Sequence, residues 1–355
     1  MPAVLSAPRA RRLTALLAAG LLASAAVRAQ EAAPTPAPPE PGDGTFQNPV
    51  RVNGADPWLT YYQGSYYYTW TAYNNVRMKT AHKLADLRDA REFVVWTDRD
   101  PAHSKNVWAP ECHLLPDEDG KPRWYLYYTA ADGVDTHHRM FVAESEGPTP
   151  LGPYHFKAQL RTDPQDQYFA IDGTTFTRAD GVAFFVWAGR PSPNGQGLYI
   201  SRMKNAWTLE GPRTYLLASG FGCRHTREAP AVLVRNGRVF LAYSTCDTRT
   251  PDYKMGLLTA DATADLLDPA VWKQTAEPVF QSAPENEIWG PGHCAFFRSP
   301  DGKEDWLVYA GKSEDAFTYR QRATRAQPFA WRADGTPDFG APVPDKLHLP
   351  PPSGE

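Results

Sequence analysis

Residues 227–245 read REAPAVLVRNGRVFLAYST. Two apolar runs, rich in valine, leucine and aromatic residues, are separated by a polar break at Asn236 and Gly237. Runs this short, bounded by turn residues, predict two β-strands joined by a turn. The first strand opens on a carboxylate, Glu228, at the point where a buried strand should begin. Because a glutamate is seldom buried without a partner, this position suggests a function.

The same arrangement, a polar residue followed by an apolar run, occurs five times along the chain. The polar residues are Asp56, Glu111, Asp172, Glu228 and His293, and successive members are 55 to 65 residues apart. Each is followed by a turn, a β-branched or aromatic run and further short strands. Five such units of about four strands predict an all-β fold, a five-bladed β-propeller.

The first strand of each blade in a propeller lines the central channel, so the five polar residues should converge on one mouth of that channel. Burying several carboxylates together is costly unless they are paired, hydrogen-bonded or shifted in pKa. We therefore expect the active site at this mouth. The only convincing helical candidate is the brief segment 264–272, ADLLDPAVW.

The first 44 residues differ in composition from the rest of the chain. Residues 1–29 combine a basic start, a short apolar stretch and a small-residue cleavage pattern, which predict a signal peptide. The pair Arg11 and Arg12 leaves a twin-arginine route open beside the general secretory one. Residues 30–44 are rich in Pro and Ala and indicate an extended linker. We expect the propeller over residues 45–345, a tail over 346–355, and a secreted or periplasmic protein.

The charge of the chain argues against a nucleic-acid partner. The formal charge is −3, and residues 1–29 hold four arginines and no other charged side chain, so the mature chain would carry −7. Phosphate binding depends mainly on Lys and Arg, which makes nucleic acid an unlikely ligand. No second long apolar run follows the first, so we do not expect a membrane partner.

The four cysteines, Cys112, Cys223, Cys246 and Cys294, lack the CxxC spacing of a zinc site. An oxidising compartment would permit disulfides between them. Four cysteines allow three pairings, and the sequence does not choose among these or exclude buried free thiols.

Five motifs, taken in chain order, carry a resemblance to a known family. They are GADPW (54–58), WAPE (108–111), IDGTTF (171–176), EAPAV (228–232) and GPGH (290–293). The ordered set resembles glycoside hydrolase family 43, five-bladed propellers that cleave arabinose- or xylose-containing polysaccharides. The resemblance covers residues 48–340. Stretches such as residues 250–274 look closest to the exo-acting α-L-arabinofuranosidases of that family.

The resemblance implies an inverting mechanism with three carboxylates. Asp56 matches the general base that activates water, and Glu228 matches the general acid. Asp172 matches the carboxylate that orients the acid and tunes its pKa. Inversion suits such a set, because the acid and base lie on opposite sides of the sugar, roughly 6.5–9.5 Å apart. A nearby third carboxylate would keep the acid protonated.

Substrate-binding roles are expected for Trp58, Trp108, Glu111, His293 and Arg322. Trp108 and Glu111 match a pocket motif of the family, and an aromatic face packs well on a sugar ring. Core packing is the alternative for Trp108, and it is favoured for Trp70, a further aromatic candidate. Arg322 matches a last-blade arginine that reaches the pocket, and Arg325 is the competing choice.

His293 matches an axial histidine that, in many family members, helps to hold a metal ion or a water cluster. The resemblance therefore implies a calcium or sodium ion near His293, although no cofactor is required. The chain departs from the family pattern at Cys294, where relatives usually carry Asn. It also departs at residues 309–311, where YAG replaces YHA and a second histidine is missing.

These observations predict an enzyme that removes α-L-arabinofuranosyl residues from arabinan or arabinoxylan-type plant polysaccharides. Its partner would be an arabinose-containing oligo- or polysaccharide. A β-xylosidase of the same family is the main alternative, because both sugars are pentoses. A carbohydrate-binding propeller without catalysis and a protein-interaction propeller are the alternatives outside the enzymes.

Overall fold

The computed structural model describes residues 45–193 and 195–355. The predicted signal peptide (1–29) and linker (30–44) lie outside these residues. The described chain forms five four-stranded sheets, each built from four consecutive strands in sequence order. Every paired neighbour within a sheet is antiparallel, as in blade 1, where Trp58 pairs with Thr69 and Thr71 with Val76. The all-β, five-bladed propeller is confirmed.

The strands follow one another around the ring without exchange between blades. Blade 1 contains β1 (Trp58–Tyr62), β2 (Ser65–Thr71), β3 (Val76–Ala81) and β4 (Glu92–Trp96), and blade 2 contains β5 (Lys105–Pro116), β6 (Pro122–Ala131), β7 (Arg139–Ser145) and β8 (Tyr154–Leu160). Blade 3 contains β9 (Ala170–Thr177), β10 (Ala183–Ser192), β11 (Gly195–Asn205) and β12 (Thr208–Leu216). Blade 4 contains β13 (Arg227–Arg235), β14 (Arg238–Thr245), β15 (Lys254–Asp261) and β16 (Lys273–Gln274), and blade 5 contains β17 (Trp289–Arg298), β18 (Asp305–Lys312), β19 (Ala323–Trp331) and β20 (Pro337–Asp338).

The hydrophobic core lies between the blades. Each blade presents alternate apolar residues to its neighbour, because side chains along a strand point to opposite faces of the sheet. Between blades 3 and 4, for example, Val186 and Ile200 belong to one buried cluster with Leu241 and Leu258. The innermost strands β1, β5, β9, β13 and β17 are thereby fixed around the channel, and residues at their starts are held in place by the whole ring.

The helical prediction for residues 264–272 is wrong. In the described chain the helices are four single 3₁₀ turns, Ala85–Arg88, Asp135–His137, Pro269–Val271 and Pro284–Asn286. Within the predicted segment only Pro269–Val271 is helical, and the Asp268 side chain accepts a hydrogen bond from the Ala270 amide. A helix that ran through residues 264–272 would place Pro269 in its interior, where the missing amide and the clash of the ring with the preceding turn break a helix, so the helical turn begins at Pro269. None of the described helices is long and apolar enough to cross a membrane.

One backbone feature recurs in all five blades. A non-glycine residue with positive φ lies at or just before the start of each innermost strand's apolar run, with φ between 43° and 56°. These five left-handed positions are Asp56, Ala109, Asp172, Ala229 and His293. In blades 2 to 5 the pairing of the first two strands shifts register there, as between Glu228 and Ala231. Such bulges re-aim side chains, and they are common next to active sites.

Both ends of the described chain close the ring. The amide of Val50 donates to the carbonyl of Thr324 in blade 5 at 2.8 Å, and Phe46 pairs with Leu349. The segment 346–355, which we set apart as a tail, contacts the propeller, since Oε1 of Glu355 accepts a hydrogen bond from the Leu84 amide of blade 1. Its prolines hide this attachment in the sequence, because they interrupt any strand pattern.

The structure selects one of the three cysteine pairings. Cys223 and Cys246 form a disulfide, whereas Cys112 and Cys294 are free and buried. The chain therefore combines both outcomes that the sequence left open, one bridge and two buried thiols. The bridge joins the segment that precedes β13 to the end of β14.

Arg325, the alternative to Arg322, is a structural residue. Its side chain is fully buried in β19, and its Nε and Nη2 donate to the two carboxylate oxygens of Asp345 at 2.7 and 2.8 Å. Nη1 also donates to the carbonyl of Gly311 at 2.6 Å. Planar bidentate pairing of this kind favours arginine over lysine.

We expect Arg325→Met to lower the free energy of unfolding by about 3 kcal/mol, because it leaves a carboxylate and a buried carbonyl without their partner. Urea denaturation measures the change. The matched control is Arg332→Met, which removes an exposed ion pair with Asp338 and should cost less than about 1 kcal/mol. Equal losses in the two variants would contradict the structural role of Arg325.

Candidate active site

A pocket of about 500 Å³ opens at one mouth of the channel and is lined by all five blades. Six of the eight predicted site residues line it: Asp56, Trp108, Asp172, Glu228, His293 and Arg322. Five of these residues, all except Arg322, stand at or next to one of the five left-handed positions, which explains how they meet although they are far apart in sequence. Trp58 and Glu111 are not among the lining residues.

Asp56 is held as a carboxylate by two cationic side chains. Its Oδ1 accepts a hydrogen bond from Nη1 of Arg322 at 2.6 Å and lies 3.1 Å from Nδ1 of His293. The hydroxyl of Thr71 donates to Oδ2 at 2.6 Å. Burial alone would raise the pKa of Asp56, but Arg322 and His293 outweigh it and hold the pKa well below its usual range. Asp56 therefore stays a carboxylate at any ordinary pH.

His293 is a cation in this setting. Burial lowers the pKa of its imidazole, but the negative charges of Asp56 and Asp172 more than compensate and raise that pKa to about 9. Its backbone amide donates to the hydroxyl of Ser244 at 2.8 Å, which fixes the left-handed position in blade 5. The histidine therefore supplies positive charge beneath the carboxylates at neutral pH.

Asp172 lines the same pocket as Asp56 and Glu228 and is almost fully buried. Burial and the negative charges of Glu228 and Asp56 raise the pKa of Asp172 to about 7, against the lowering effect of His293. Its Oδ2 accepts a hydrogen bond from the amide of Ala229 at 3.2 Å. Asp172 thus fixes the backbone of the residue that follows Glu228.

Both carboxylate oxygens of Glu228 accept hydrogen bonds. The hydroxyl of Tyr253 donates to Oε1 and Nε2 of Gln196 donates to Oε2, each at 2.8 Å. Burial raises the pKa of Glu228, although the bond from Tyr253 works in the opposite direction. The pocket therefore shifts the pKa values of the two carboxylic acids in opposite directions. Asp56 is kept ionised, and Glu228 tends to keep its proton.

Trp108 lines the pocket and also packs against a neighbouring aromatic side chain. Its ring stacks on His138 with centroids 3.9 Å apart. Among the described residues its Nε1 is buried and has no hydrogen-bond partner. Trp108 thus lines the pocket and also packs against the protein, and its role in binding sugar stays a prediction. Trp70, in contrast, is buried, stacks on Tyr68 and lies under the guanidinium of Arg51, so it is a core residue.

Trp58 and Glu111 line a second cavity, of about 340 Å³, farther along the channel. Glu111 is bonded there to His113, with Oε2 and Nε2 2.8 Å apart. Trp58 and Glu111 face the second cavity because each stands two positions after a left-handed position. The equivalent residues of the other blades, Thr174, Ala231 and Ala295, line the same second cavity. The prediction that Trp58 and Glu111 share the pocket of Asp56 is therefore wrong.

The residues around His293 do not fit an ion held by protein ligands. Nδ1 of His293 faces Asp56, and a proton on the imidazole competes with a metal for its nitrogens. No group of three His, Cys, Asp or Glu side chains within residues 45–193 and 195–355 is arranged to hold a metal. The calcium or sodium ion stays a prediction of the resemblance, and we derive no step from it.

Several pocket residues escaped the sequence analysis. Gln196 and Tyr253 hydrogen-bond to Glu228, and neither was predicted, although Tyr253 lies within the stretch 250–274 that carries part of the resemblance. Thr71 had a signal that could have been used, because the last three residues of the second strand include a hydroxyl residue in blades 1, 2 and 4. The hydroxyls of Thr71, Thr129 and Ser244 accept the amide hydrogens of the next blades' left-handed residues, Ala109, Asp172 and His293. A hydroxyl there locks the bulge of its neighbour.

Comparison with known proteins defines the class of this protein. Residues 46–337 match the family described as Glycosyl hydrolases family 43. The chain therefore belongs to family 43 of the glycoside hydrolases and is a glycosidase, which confirms the resemblance found in the sequence.

Three similar proteins are named as arabinofuranosidases. An extracellular exo-α-(1→5)-L-arabinofuranosidase of Streptomyces avermitilis is 36% identical over 352 residues, covering 94% of this chain and 71% of that protein. An α-L-arabinofuranosidase of Humicola insolens is 38% identical, covering 84% of this chain and 64%, less than two thirds, of that protein. The crystal structure of an α-L-arabinofuranosidase from Lactobacillus brevis has a TM-score of 0.77 and 35% identity, and the match covers 85% of this chain and 98% of that one.

The hydroxyl of Tyr253 stabilises the charged form of Glu228 and so lowers its pKa. We therefore expect Tyr253→Phe to raise that pKa, so that the alkaline limb of kcat/KM moves to higher pH, because Glu228 keeps its proton longer. Hydrolysis of an alkyl glycoside, whose leaving group needs a proton from the acid, measures the shift when it is followed across pH.

The matched control is Tyr309→Phe, which removes a buried hydroxyl bonded to Gln327 outside the pocket. This control should leave the alkaline limb where it is. An unmoved limb in Tyr253→Phe, or a shift to lower pH, would show that Glu228 is not the acid that titrates there.

Proposed function

We propose that this enzyme is an exo-acting α-L-arabinofuranosidase that removes terminal arabinofuranosyl residues from arabinan or arabinoxylan-type polysaccharides with inversion. The observation that carries the proposal is the opposite tuning of Asp56 and Glu228 in one pocket. The sugar specificity is inferred from the similar proteins described above, which are named as arabinofuranosidases.

The proposed reaction is a single displacement. A water molecule, deprotonated by Asp56, attacks the anomeric carbon of the terminal sugar. The bond from that carbon to the glycosidic oxygen breaks, and Glu228 gives its proton to this oxygen as the leaving group departs. The acid, the base and the water supply every reacting group, so the proposal needs no cofactor.

Asp172 and the two cations assist these groups in the proposal. Asp172 accepts a hydrogen bond from the Ala229 amide and so holds the backbone next to Glu228. The negative charge of Asp172 disfavours loss of the proton from Glu228. Arg322 and His293 keep Asp56 ionised and oriented. Arg322 thus acts through the base, and we do not propose a direct sugar contact for it.

The β-xylosidase alternative uses the same chemistry on a pyranose sugar. The solved xylan β-1,4-xylosidase of Bacillus halodurans is 17% identical with a TM-score of 0.68, which reflects the shared fold alone. The relatives above 30% identity are arabinofuranosidases by name, and this favours the arabinoside.

We further propose that the enzyme is secreted, because two relatives are named as extracellular enzymes and residues 1–29 have the pattern of a signal peptide. Expression in a secreting bacterial host, followed by mass spectrometry of the exported protein, should find a new amino terminus near Gln30. Export of the chain with residues 1–29 intact would contradict cleavage at this site.

The test of the activity compares nitrophenyl α-L-arabinofuranoside with nitrophenyl β-D-xylopyranoside. We expect faster release from the arabinoside, and proton NMR should show that the first sugar product has the inverted anomeric configuration. Faster release from the xyloside would support the β-xylosidase instead, and a retained configuration would exclude the roles given to Asp56 and Glu228.

Two variants separate the base from the acid. Asp56→Asn should lower kcat by about 10²- to 10⁴-fold on aryl glycosides and on oligosaccharides alike, because both need the base. Glu228→Gln should lose as much on oligosaccharides and much less on nitrophenyl glycosides, whose leaving group needs little protonation. Equal losses of the Glu228 variant on both substrates would indicate a structural role for Glu228.

A further inference from the structure

The amide of Gln196 lies between the carboxyl group of Glu228 and an arginine. Gln196 is almost fully buried in β11, and its Nε2 donates to Oε2 of Glu228 at 2.8 Å. Its other terminal atom, Oε1, accepts a hydrogen bond from Nη2 of Arg190 at 3.3 Å. Arg190 belongs to β10, the strand that pairs with β11, and both residues line the pocket. Two hydrogen bonds therefore connect Arg190 through Gln196 to Glu228.

Arg190 fixes the direction in which the amide of Gln196 faces. The two ends of a glutamine amide have nearly the same shape, so their orientation follows from their hydrogen-bond partners. A guanidinium carries only donors, and the atom that faces Arg190 is therefore the amide oxygen. The amide nitrogen is thereby turned towards Glu228. Gln196 can donate a hydrogen bond to Oε2 of Glu228 but cannot accept one from it.

Arg190 is held in place by contacts other than Gln196. Its guanidinium lies 4.2 Å from the ring centroid of Phe169, and its Nη1 lies 3.9 Å from Oδ2 of Asp135. Its backbone amide donates to the carbonyl of Phe169, and its carbonyl accepts a hydrogen bond from Nη2 of Arg213, each at 3.1 Å. The guanidinium therefore stays within reach of Gln196, although 42% of the arginine side chain is exposed.

The two carboxyl oxygens of Glu228 differ in what their partners permit. Oε2 faces the fixed N–H donor of Gln196, and this bond is strongest when Oε2 carries no proton. Oε1 faces the hydroxyl of Tyr253 at 2.8 Å, and a hydroxyl can rotate so that it either donates or accepts. When Glu228 takes up a proton, Oε1 is therefore the favoured oxygen.

We propose that Arg190 and Gln196 are positioning residues that place the acidic proton of Glu228 on Oε1. Arg190 acts through Gln196, and Gln196 acts through Oε2 of Glu228, so neither side chain needs to touch the sugar.

The inference rests on the proposed function, in which Glu228 protonates the glycosidic oxygen, and it adds which carboxyl oxygen gives the proton. The O–H bond at Oε1 breaks and a new O–H bond forms at the glycosidic oxygen. This oxygen keeps the electron pair of its broken bond to the anomeric carbon. Glu228 is left as a carboxylate, and the N–H donor of Gln196 stabilises its charge at Oε2.

The test measures kcat on an α-1,5-linked arabinotriose, whose leaving group needs a proton, and on nitrophenyl α-L-arabinofuranoside, whose leaving group needs little. Arg190→Met should lower kcat on arabinotriose by about tenfold, because the amide of Gln196 can then turn its oxygen to Glu228 and draw the proton onto Oε2. On the nitrophenyl glycoside kcat should stay within about twofold of the unmodified enzyme. Arg190→Lys keeps an N–H donor and should recover most of the loss.

Two substitutions of Gln196 separate the direction of the hydrogen bond from the shape of the side chain. Gln196→Glu keeps the shape but offers Glu228 only an acceptor once the new carboxylate pairs with Arg190. It should therefore lower kcat on arabinotriose at least as much as Gln196→Leu, about tenfold or more, with each variant measured at its own pH optimum. Better activity in Gln196→Glu than in Gln196→Leu would show that Gln196 only fills space, and would overturn the proposal.

A double variant tests whether Arg190 acts through Gln196. Added to Gln196→Leu, Arg190→Met should change kcat and KM by no more than about twofold. The matched control, Arg202→Met, removes an exposed arginine of β11 that lies 3.7 Å from Asp265, and it should change neither substrate. Additive losses in the double variant would overturn the proposal. So would a KM increase on both substrates that persists beside Gln196→Leu, because Arg190 would then contact the sugar itself.

Failure of the proposed function would appear in a different variant. Equal losses of Glu228→Gln on both substrates would remove the acid, and the positioning roles would be rejected with it. If Glu228→Gln depends on the leaving group and the variants of Arg190 and Gln196 do not, only the positioning roles are wrong. If the enzyme prefers xylosides, the same dependence on the leaving group is expected between xylotriose and nitrophenyl β-D-xylopyranoside, and its absence there would reject the proposal.

Discussion

The left-handed backbone position at the start of each innermost strand is the constraint on which the pocket depends. A residue with positive φ costs on the order of 1–3 kcal/mol, so five of them persist only because the rest of the ring fixes them. Hydrogen bonds from one blade to the next supply part of this support, as when Thr71 accepts the amide hydrogen of Ala109. Packing between the sheets supplies the remainder, and the strain is thereby placed where side chains must face the channel mouth.

The electrostatics of the pocket follow from this placement. Asp56, Asp172, Glu228, Arg322 and His293 line one pocket, and all but Glu228 are largely buried, so each group is strongly affected by its neighbours. Asp56 contacts both cations and stays ionised, whereas Glu228 contacts only neutral donors, Tyr253 and Gln196, and tends to keep its proton. Two similar side chains acquire opposite roles because one has charged partners and the other has uncharged ones.

The sequence was sufficient for the fold and for the meeting of Asp56, Asp172 and Glu228 in one pocket, because both depend on repeated features with a nearly constant spacing. It failed for Trp58 and Glu111, since a spacing of 55 to 65 residues does not show on which side of a bulge a residue stands. Glu111 is two positions after Ala109, and Glu228 is one position before Ala229. Gln196 could not be predicted, because its contact with Glu228 joins strands of different blades without a shared pattern.

The two left-handed positions occupied by alanine have a consequence for the origin of new activities. Ala109 and Ala229 have the same backbone geometry as Asp56, Asp172 and His293 but carry no reactive group. Since the ring and not the side chain maintains this geometry, the reactive side chains at the channel mouth can change without a change in the backbone that positions them. Single substitutions at these five backbone positions would thus change the reaction that a related propeller catalyses, while its fold stays the same.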